Sequence, residues 1–227
     1  MKVEIFSDVI CPWCYIGHTR FARAAEAFRA KGGTLEVVMR PFQLNPDATT
    51  EGEPLVPFLE EKYGPGVSQM FARVSNAAEQ EGLKLDYDAA VSANTAEAHR
   101  LIAVATAQGL GEEMAQRLFR AYFTEGRNVA DPEVLAGLAA EVGVRDQGED
   151  AEVSGHEVSE QLARARRLGI TGVPLFLFEE KYSVSGAQPY ESFVSVIDEV
   201  AERTGQQPVT TLAAPADGCD DDGYCPV

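Results

Sequence analysis

The chain has 227 residues, 45% of them hydrophobic, enough for a buried core in one large domain or in a domain carrying a substantial insertion. Its 36 acidic and 19 basic residues give a formal net charge of −17, with no basic run to follow a phosphate backbone, so nucleic acid and anionic membrane surfaces are excluded as expected partners. Four cysteines are too few for a disulfide scaffold, and no segment reaches the roughly 18 to 20 apolar residues that span a bilayer.

The opening "MKVEIF" lacks the basic region, apolar run and small-residue cleavage site of a secretory signal, which sets a cytoplasmic expectation. "VEIFSDVI" alternates as a strand does, and "LEVVMRPFQL" at 35–44 reads as a second strand. Between them Trp13 to Lys31 has helical spacing, with Ile16, Phe21, Ala24, Ala25 and Phe28 on one face and Gly32 and Gly33 as the stop. A helix joining two strands over so short a distance predicts a parallel pair with a right-handed crossover.

From Asn45 to about Gly169 strand signals give way to Ala-rich amphipathic stretches. The clearest is 112–123, where Met114, Leu118, Phe119, Tyr122 and Phe123 form a core-facing stripe. Strands return at "VPLFLF" (173–178) and "YSVSG" (182–186), and "YESFVSVIDEVAER" closes the pattern as a helix. The order is β-α-β, a helical block, then β-β-α. From about Thr204 the composition turns to Pro, Gly and Asp without periodicity and predicts a mobile tail, which holds Cys219 and Cys225.

The chemistry concentrates at "CPWC", residues 11–14, where the first strand hands over to the first helix. Unsatisfied N–H groups of a first helical turn, with the positive end of the helix dipole, stabilise a thiolate on the first cysteine and mark Cys11 as the nucleophile. Cys14, one turn deeper, is the resolving thiol that attacks the mixed disulfide. Pro12 gives up an N–H that a helix start does not need, and Trp13 supplies an apolar collar suited to peptide substrates. Zinc would need two further ligands. Cys219 and Cys225 are loosely spaced for that, so no metal site is expected; a purely structural disulfide across two residues would stabilise little.

Six blocks in order, "SDVICPWCYIG", "RPFQLNPD", "NTAEAHRL", "AYFTEGRNVAD", "GITGVPLFLF" and "SGAQP", resemble the FrnE-like branch of the DsbA thiol-disulfide oxidoreductases. The resemblance implies an α/β thioredoxin fold (residues 1–44 and 170–205), a large inserted all-helical domain (45–169) and a C-terminal tail (206–227). It implies dithiol-disulfide exchange or isomerisation on protein thiols, with Cys11 attacking, Cys14 resolving and Pro174 as a cis-proline that leaves the Val173 backbone free to pair with an extended substrate. A neighbouring branch, resembling kappa-class glutathione transferases and 2-hydroxychromene-2-carboxylate isomerases, typically carries serine in place of Cys11. The intact CPWC favours dithiol chemistry without a bound cofactor, with glutathione as a candidate reductant. The alternatives are a glutathione-dependent isomerase or transferase acting on a small aromatic substrate, and a holdase that shields unfolded chains in the same groove. Oligomeric state is not legible.

His99, one turn after Thr95, is a candidate for lining the substrate groove, against a hydrogen-bonded structural role. His18, about 10 Å along the helix from Cys11, reads as a surface residue. Asp8 reads as a cap of the active-site helix, and Gly17 as a point of close helix packing. Cys219 and Cys225 are a candidate redox shuttle, a local disulfide or reduced pair, or a metal site with the aspartates between them.

Overall fold

The computed structural model describes residues 1–145 and 150–206; the tail cysteines Cys219 and Cys225 lie outside the described residues. Strand β1 (Lys2–Ser7) leads into helix α1 (Pro12–Ala30) and returns through β2 (Glu36–Pro41), which pairs with β1 in parallel, Lys2 opposite Glu36 and Ser7 opposite Pro41. The intervening segment carries β3 (Glu53–Pro54), α2 (Leu55–Tyr63), α3 (Val67–Glu79), β4 (Val91–Ser92), α4 (Ala96–Ala107), α5 (Gly111–Phe123), α6 (Pro132–Val142) and α7 (Asp150–Arg167). Strands β5 (Leu175–Phe178) and β6 (Tyr182–Ser185) and helix α8 (Tyr190–Thr204) complete the described fold.

The main sheet has the order β2-β1-β5-β6, with β1 central and antiparallel to β5. This explains why β1 is buried almost end to end although its sequence alternates. Val3 and Ile5, opposite Phe178 and Phe176, face the layer of α1 and α8, where Phe21 and Phe193 meet Phe176 at 5.2 and 4.6 Å between ring centroids. The alternate residues Glu4 and Phe6 face α7. There the Glu4 carboxylate, 1% exposed, accepts from Arg40 and Arg164, and the Arg164 guanidinium lies 5.7 Å over the Phe6 ring. Burial alone would raise the Glu4 carboxyl, but hydrogen bonds and charge from Arg164 and Arg40 outweigh it and hold the group below its ordinary value.

The predicted stripe on α5 is buried throughout, from Met114 to Phe123. The inserted segment is not wholly helical, however. Glu53 and Pro54 pair with Ser92 and Val91, and the Asn94 N–H donates to Thr49 O at 2.9 Å, so two extended stretches satisfy each other's backbone groups in a short ladder. Two-residue strands leave no alternation for a sequence pattern to show.

Candidate active site

Helix α1 starts at Cys11, whose backbone is extended (φ −91°, ψ 113°) and whose carbonyl accepts from the N–H groups of Cys14 and Tyr15 at 3.0 and 3.2 Å. Pro12 occupies the first turn, where a missing N–H is harmless. No side chain caps this end, so no side-chain oxygen competes with the thiol for the positive end of the helix dipole. The Cys11 N–H is itself held by Asp8 O at 3.0 Å, which fixes the turn between β1 and α1.

Both thiols are free and both are buried, Cys11 at 5% exposure and Cys14 at 1%. Burial, and then the neighbouring Cys11, push the Cys14 thiol well above its ordinary value, while the Ser7 hydroxyl and the Asp8 backbone N–H act the other way. Cys14 therefore waits as a protonated thiol. Cys11 Sγ points to Val173 O at 3.8 Å, and the Val173–Pro174 peptide is cis. Pro174 is seated against α1 at Gly17, where an added Cβ would come within 3.0 Å of Pro174 Cγ and 3.3 Å of Ala187 Cα. The close packing expected at Gly17 is thus against the proline loop and the turn after β6.

Cys11 opens onto a cleft of about 390 Å³. Pro12, Trp13 and Val173 line its near side, and α2 and α3 supply the far wall through Leu55, Phe58, Leu59, Met70, Phe71 and Val74. Tyr122 and Phe123 of α5 also line it, and Lys62, within 5.5 Å of the Phe58 ring centroid, is the charged side chain among its described lining residues. The wall residues lie in the inserted segment and were not singled out in the sequence. Their only signal was apolar content on amphipathic helices, which core packing explains equally well.

Three sequence expectations change. Asp8 does not cap α1; it is fully buried, its Oδ2 accepts from the Leu44 N–H at 2.7 Å, and its Oδ1 lies 3.3 Å from His99 Nε2. His99 is not among the cleft-lining residues. Its Nε2 also lies 3.0 Å from Phe42 O, a group that only accepts, so Nε2 carries a hydrogen and the ring ties α4 to the turn beneath Cys11. It borders instead a small pocket of about 30 Å³ shared with Ser7, Arg40 and Gln161. His18 is not on the surface: α5 covers it, with Phe119 at 6.1 Å, and neither ring nitrogen has a hydrogen-bond partner among the described residues. Burial lowers its pKa from 6.5 to about 4.

Among the described residues no helix is long and apolar enough to cross a membrane, and no group of three or more His, Cys, Asp or Glu is gathered as a metal site would require. A family model described as the DSBA-like thioredoxin domain matches residues 2–198. The chain belongs to the DsbA-like thioredoxin family. A probable DsbA oxidoreductase from Streptomyces coelicolor is 33% identical over the full length of both chains, with a TM-score of 0.77. The cytosolic disulfide reductase DsbM from Pseudomonas aeruginosa, whose structure was determined with GSH, is 23% identical, covering 89% of this chain and 100% of that one, with a TM-score of 0.64. A 2-hydroxychromene-2-carboxylate isomerase is 15% identical over 90% and 98% of the two chains, with a TM-score of 0.62. At these identities the last two share the fold alone. The DsbA-like architecture thus holds a CPWC turn at the mouth of an apolar cleft.

Proposed function

We propose that this DsbA-like protein exchanges disulfides with cysteines of protein substrates through Cys11 and Cys14. Cys11 as thiolate attacks one sulfur of a substrate disulfide; the substrate S–S bond breaks, a mixed disulfide forms, and the second substrate sulfur leaves as a thiolate that takes up a proton. Cys14 then gives up its proton and attacks Cys11 Sγ, releasing the remaining substrate thiol and leaving the Cys11–Cys14 disulfide. Two electrons pass from the protein to the substrate. The same steps in reverse oxidise a substrate dithiol, and the relative stability of the two redox forms sets the direction.

The observation that carries this reading is the placement of Cys11 Sγ at a helix N-terminus, 3.8 Å from Val173 O, on the wall of an apolar cleft. A substrate strand beside Val173 would bring its cysteine onto Cys11 while apolar neighbours enter the cleft. Ser7 and the Asp8 N–H support the Cys14 thiolate at the resolving step. In this reading the protein works in the cytoplasm on protein thiols, without nucleic acid, membrane or a bound cofactor, and glutathione serves as its small-molecule reductant. The fold shared with cytosolic DsbM, determined with GSH, supports that choice.

Insulin reduction with glutathione as electron source tests the proposal. The wild-type protein accelerates it, Cys11→Ser abolishes it, and Cys14→Ser accumulates a mixed disulfide visible by mass spectrometry. Full activity in Cys11→Ser would remove the reading.

A further inference from the structure

Asp8 and His99 form a buried titratable pair to which the exchange steps above give no part. Asp8 is 0% exposed and His99 4%, and Asp8 lies three residues before the attacking cysteine. Burying a carboxylate is costly unless cations or donors answer it. Glu4, the other carboxylate buried among the described residues, is answered by Arg40 and Arg164, whereas no Lys or Arg bonds Asp8 among those residues. Its side chain is met by the Leu44 N–H, 2.7 Å from Oδ2, and by the Nε2 hydrogen of His99, 3.3 Å from Oδ1 and shared with Phe42 O at 3.0 Å.

Those bonds also fix the Asp8 backbone, which serves both thiols. Its carbonyl accepts from the Cys11 N–H at 3.0 Å, and its N–H favours the Cys14 thiolate. The two exchange steps ask different things of that backbone. Attack on a substrate disulfide needs Cys11 alone, and the incoming sulfur adjusts to it. Resolution is intramolecular: Cys14 must reach Cys11 Sγ in line with the bond it breaks, so its rate depends on how the two cysteines are set against each other. A donor on α4 that steadies Asp8 is placed to act on the second step.

We propose that His99 is a positioning residue for the resolving step: through Asp8 it holds the CPWC turn so that Cys14 meets the mixed disulfide on Cys11 in line. This role deepens the exchange reading and rests on Cys11 as the attacking thiol and Cys14 as the resolving one. It also gives the inserted segment a part in turnover separate from the cleft wall, since α4 (Ala96–Ala107) supplies the donor.

Dipyridyl disulfide, a neutral oxidant whose halves each leave as a coloured pyridinethione, separates the two steps. The parent is the full-length chain with Cys219→Ser and Cys225→Ser, which leaves only Cys11 and Cys14 to react. The Cys11 thiolate attacks one sulfur, a mixed disulfide forms on Cys11 and the first pyridinethione leaves. Cys14 then gives its proton to solvent and attacks Cys11 Sγ, and the second pyridinethione leaves as the Cys11–Cys14 disulfide closes. In stopped flow, His99→Ala slows the second release about tenfold and keeps the first within about twofold of the parent. His99→Gln, whose amide N–H reaches about as far as an imidazole Nε2–H, restores the second release. Both rates come from one sample, so a smaller folded fraction lowers the amplitudes and leaves the ratio of rates alone. If His99→Ala does not fold, Asp8→Asn, which sets an amide N–H against one of the two donors, carries the same expectation. An unchanged second release, or equal slowing of both, overturns the proposal. So does slowing of the first release alone, which would mean that the pair serves only the cleft rim at Leu44 and Asn45. A parent with no second release defeats the exchange reading and this role with it; a normal parent with an unchanged His99→Ala ratio overturns this role alone.

Discussion

Cys11 and Cys14 share one helical turn but have opposite surroundings. Cys11 faces the open cleft, whose described lining is apolar apart from Lys62 and a few uncharged polar side chains such as Tyr122. Cys14 faces a closed side of buried polar groups, where Asp8 meets His99 and, further along β1, Glu4 accepts from Arg40 and Arg164, with the unpartnered His18 one turn further along α1. In the proposed exchange, this difference separates the tasks of the two thiols. A surface that must accept varied chains is built of apolar contacts that tolerate exchange, whereas a thiol that must be held back sits among groups fixed by directional bonds. Reactivity is concentrated on the first side, and the sensitivity of the fold to acid on the second.

The sharpest way to break this contrast is at the thiols. Cys11→Ser removes insulin reduction, whereas Cys14→Ser leaves attack intact and stalls turnover at the mixed disulfide, so the two variants separate by mass spectrometry although both are inactive in turnover. On the closed side, Glu4→Gln leaves Arg40 and Arg164 facing each other without their anion. A loss of about 3 kcal/mol is expected in urea unfolding at pH 7, with the reactivity of Cys11 toward small disulfides kept. Because the folded Glu4 is held below its ordinary value, its contribution is present above about pH 4.5 and lost as the pH falls through the folded value.

His18 gives a second acid response in a different window. Its folded pKa is about 4 against 6.5 when free, so the unfolded chain binds the extra proton between those values and stability falls as the pH drops from 6.5 to 4, by about 3 kcal/mol in all. His18→Leu flattens that part of the stability-pH curve and is neutral or stabilising at pH 7.5, since neither ring nitrogen had a partner to lose among the described residues. A curve of unchanged slope between pH 6.5 and 4 would show that His18 takes its proton in the fold. The mildest intervention is Gly17→Ala. Its Cβ presses on Pro174 at 3.0 Å, with an expected cost of about 1 kcal/mol and a slower peptide reaction, because the loop that presents Val173 must shift.

Much of the fold and part of the site were legible before any coordinates. The β-α-β opening, the β-β-α close and the α5 stripe are encoded in periodicities of two or 3.6 residues, which a short window contains. Cys11, Pro12 and Cys14 were legible for the same reason, since a strand end, a proline and a helix start adjoin in sequence. His18 was misread because distance from Cys11 along the helix says nothing about what covers the helix face, and α5 covers it. Asp8 was misread because a carboxylate before a helix is usually a cap, whereas its partners are Leu44 and His99, the latter 91 residues away. The β3–β4 ladder is too short to leave a pattern.

The sequence by itself determined that two thiols stand at a helix N-terminus, and its resemblance to the DsbA-like family implied that a valine-proline pair far along the chain would meet them. Tertiary structure alone decided which helices wall the cleft at Cys11, and that a histidine and an aspartate meet beneath the CPWC turn. The physical reason is range. Capping and helix dipoles act over a few neighbouring residues, while burial, pKa shifts and orphaned donors depend on groups brought together only when the inserted helices close over the sheet.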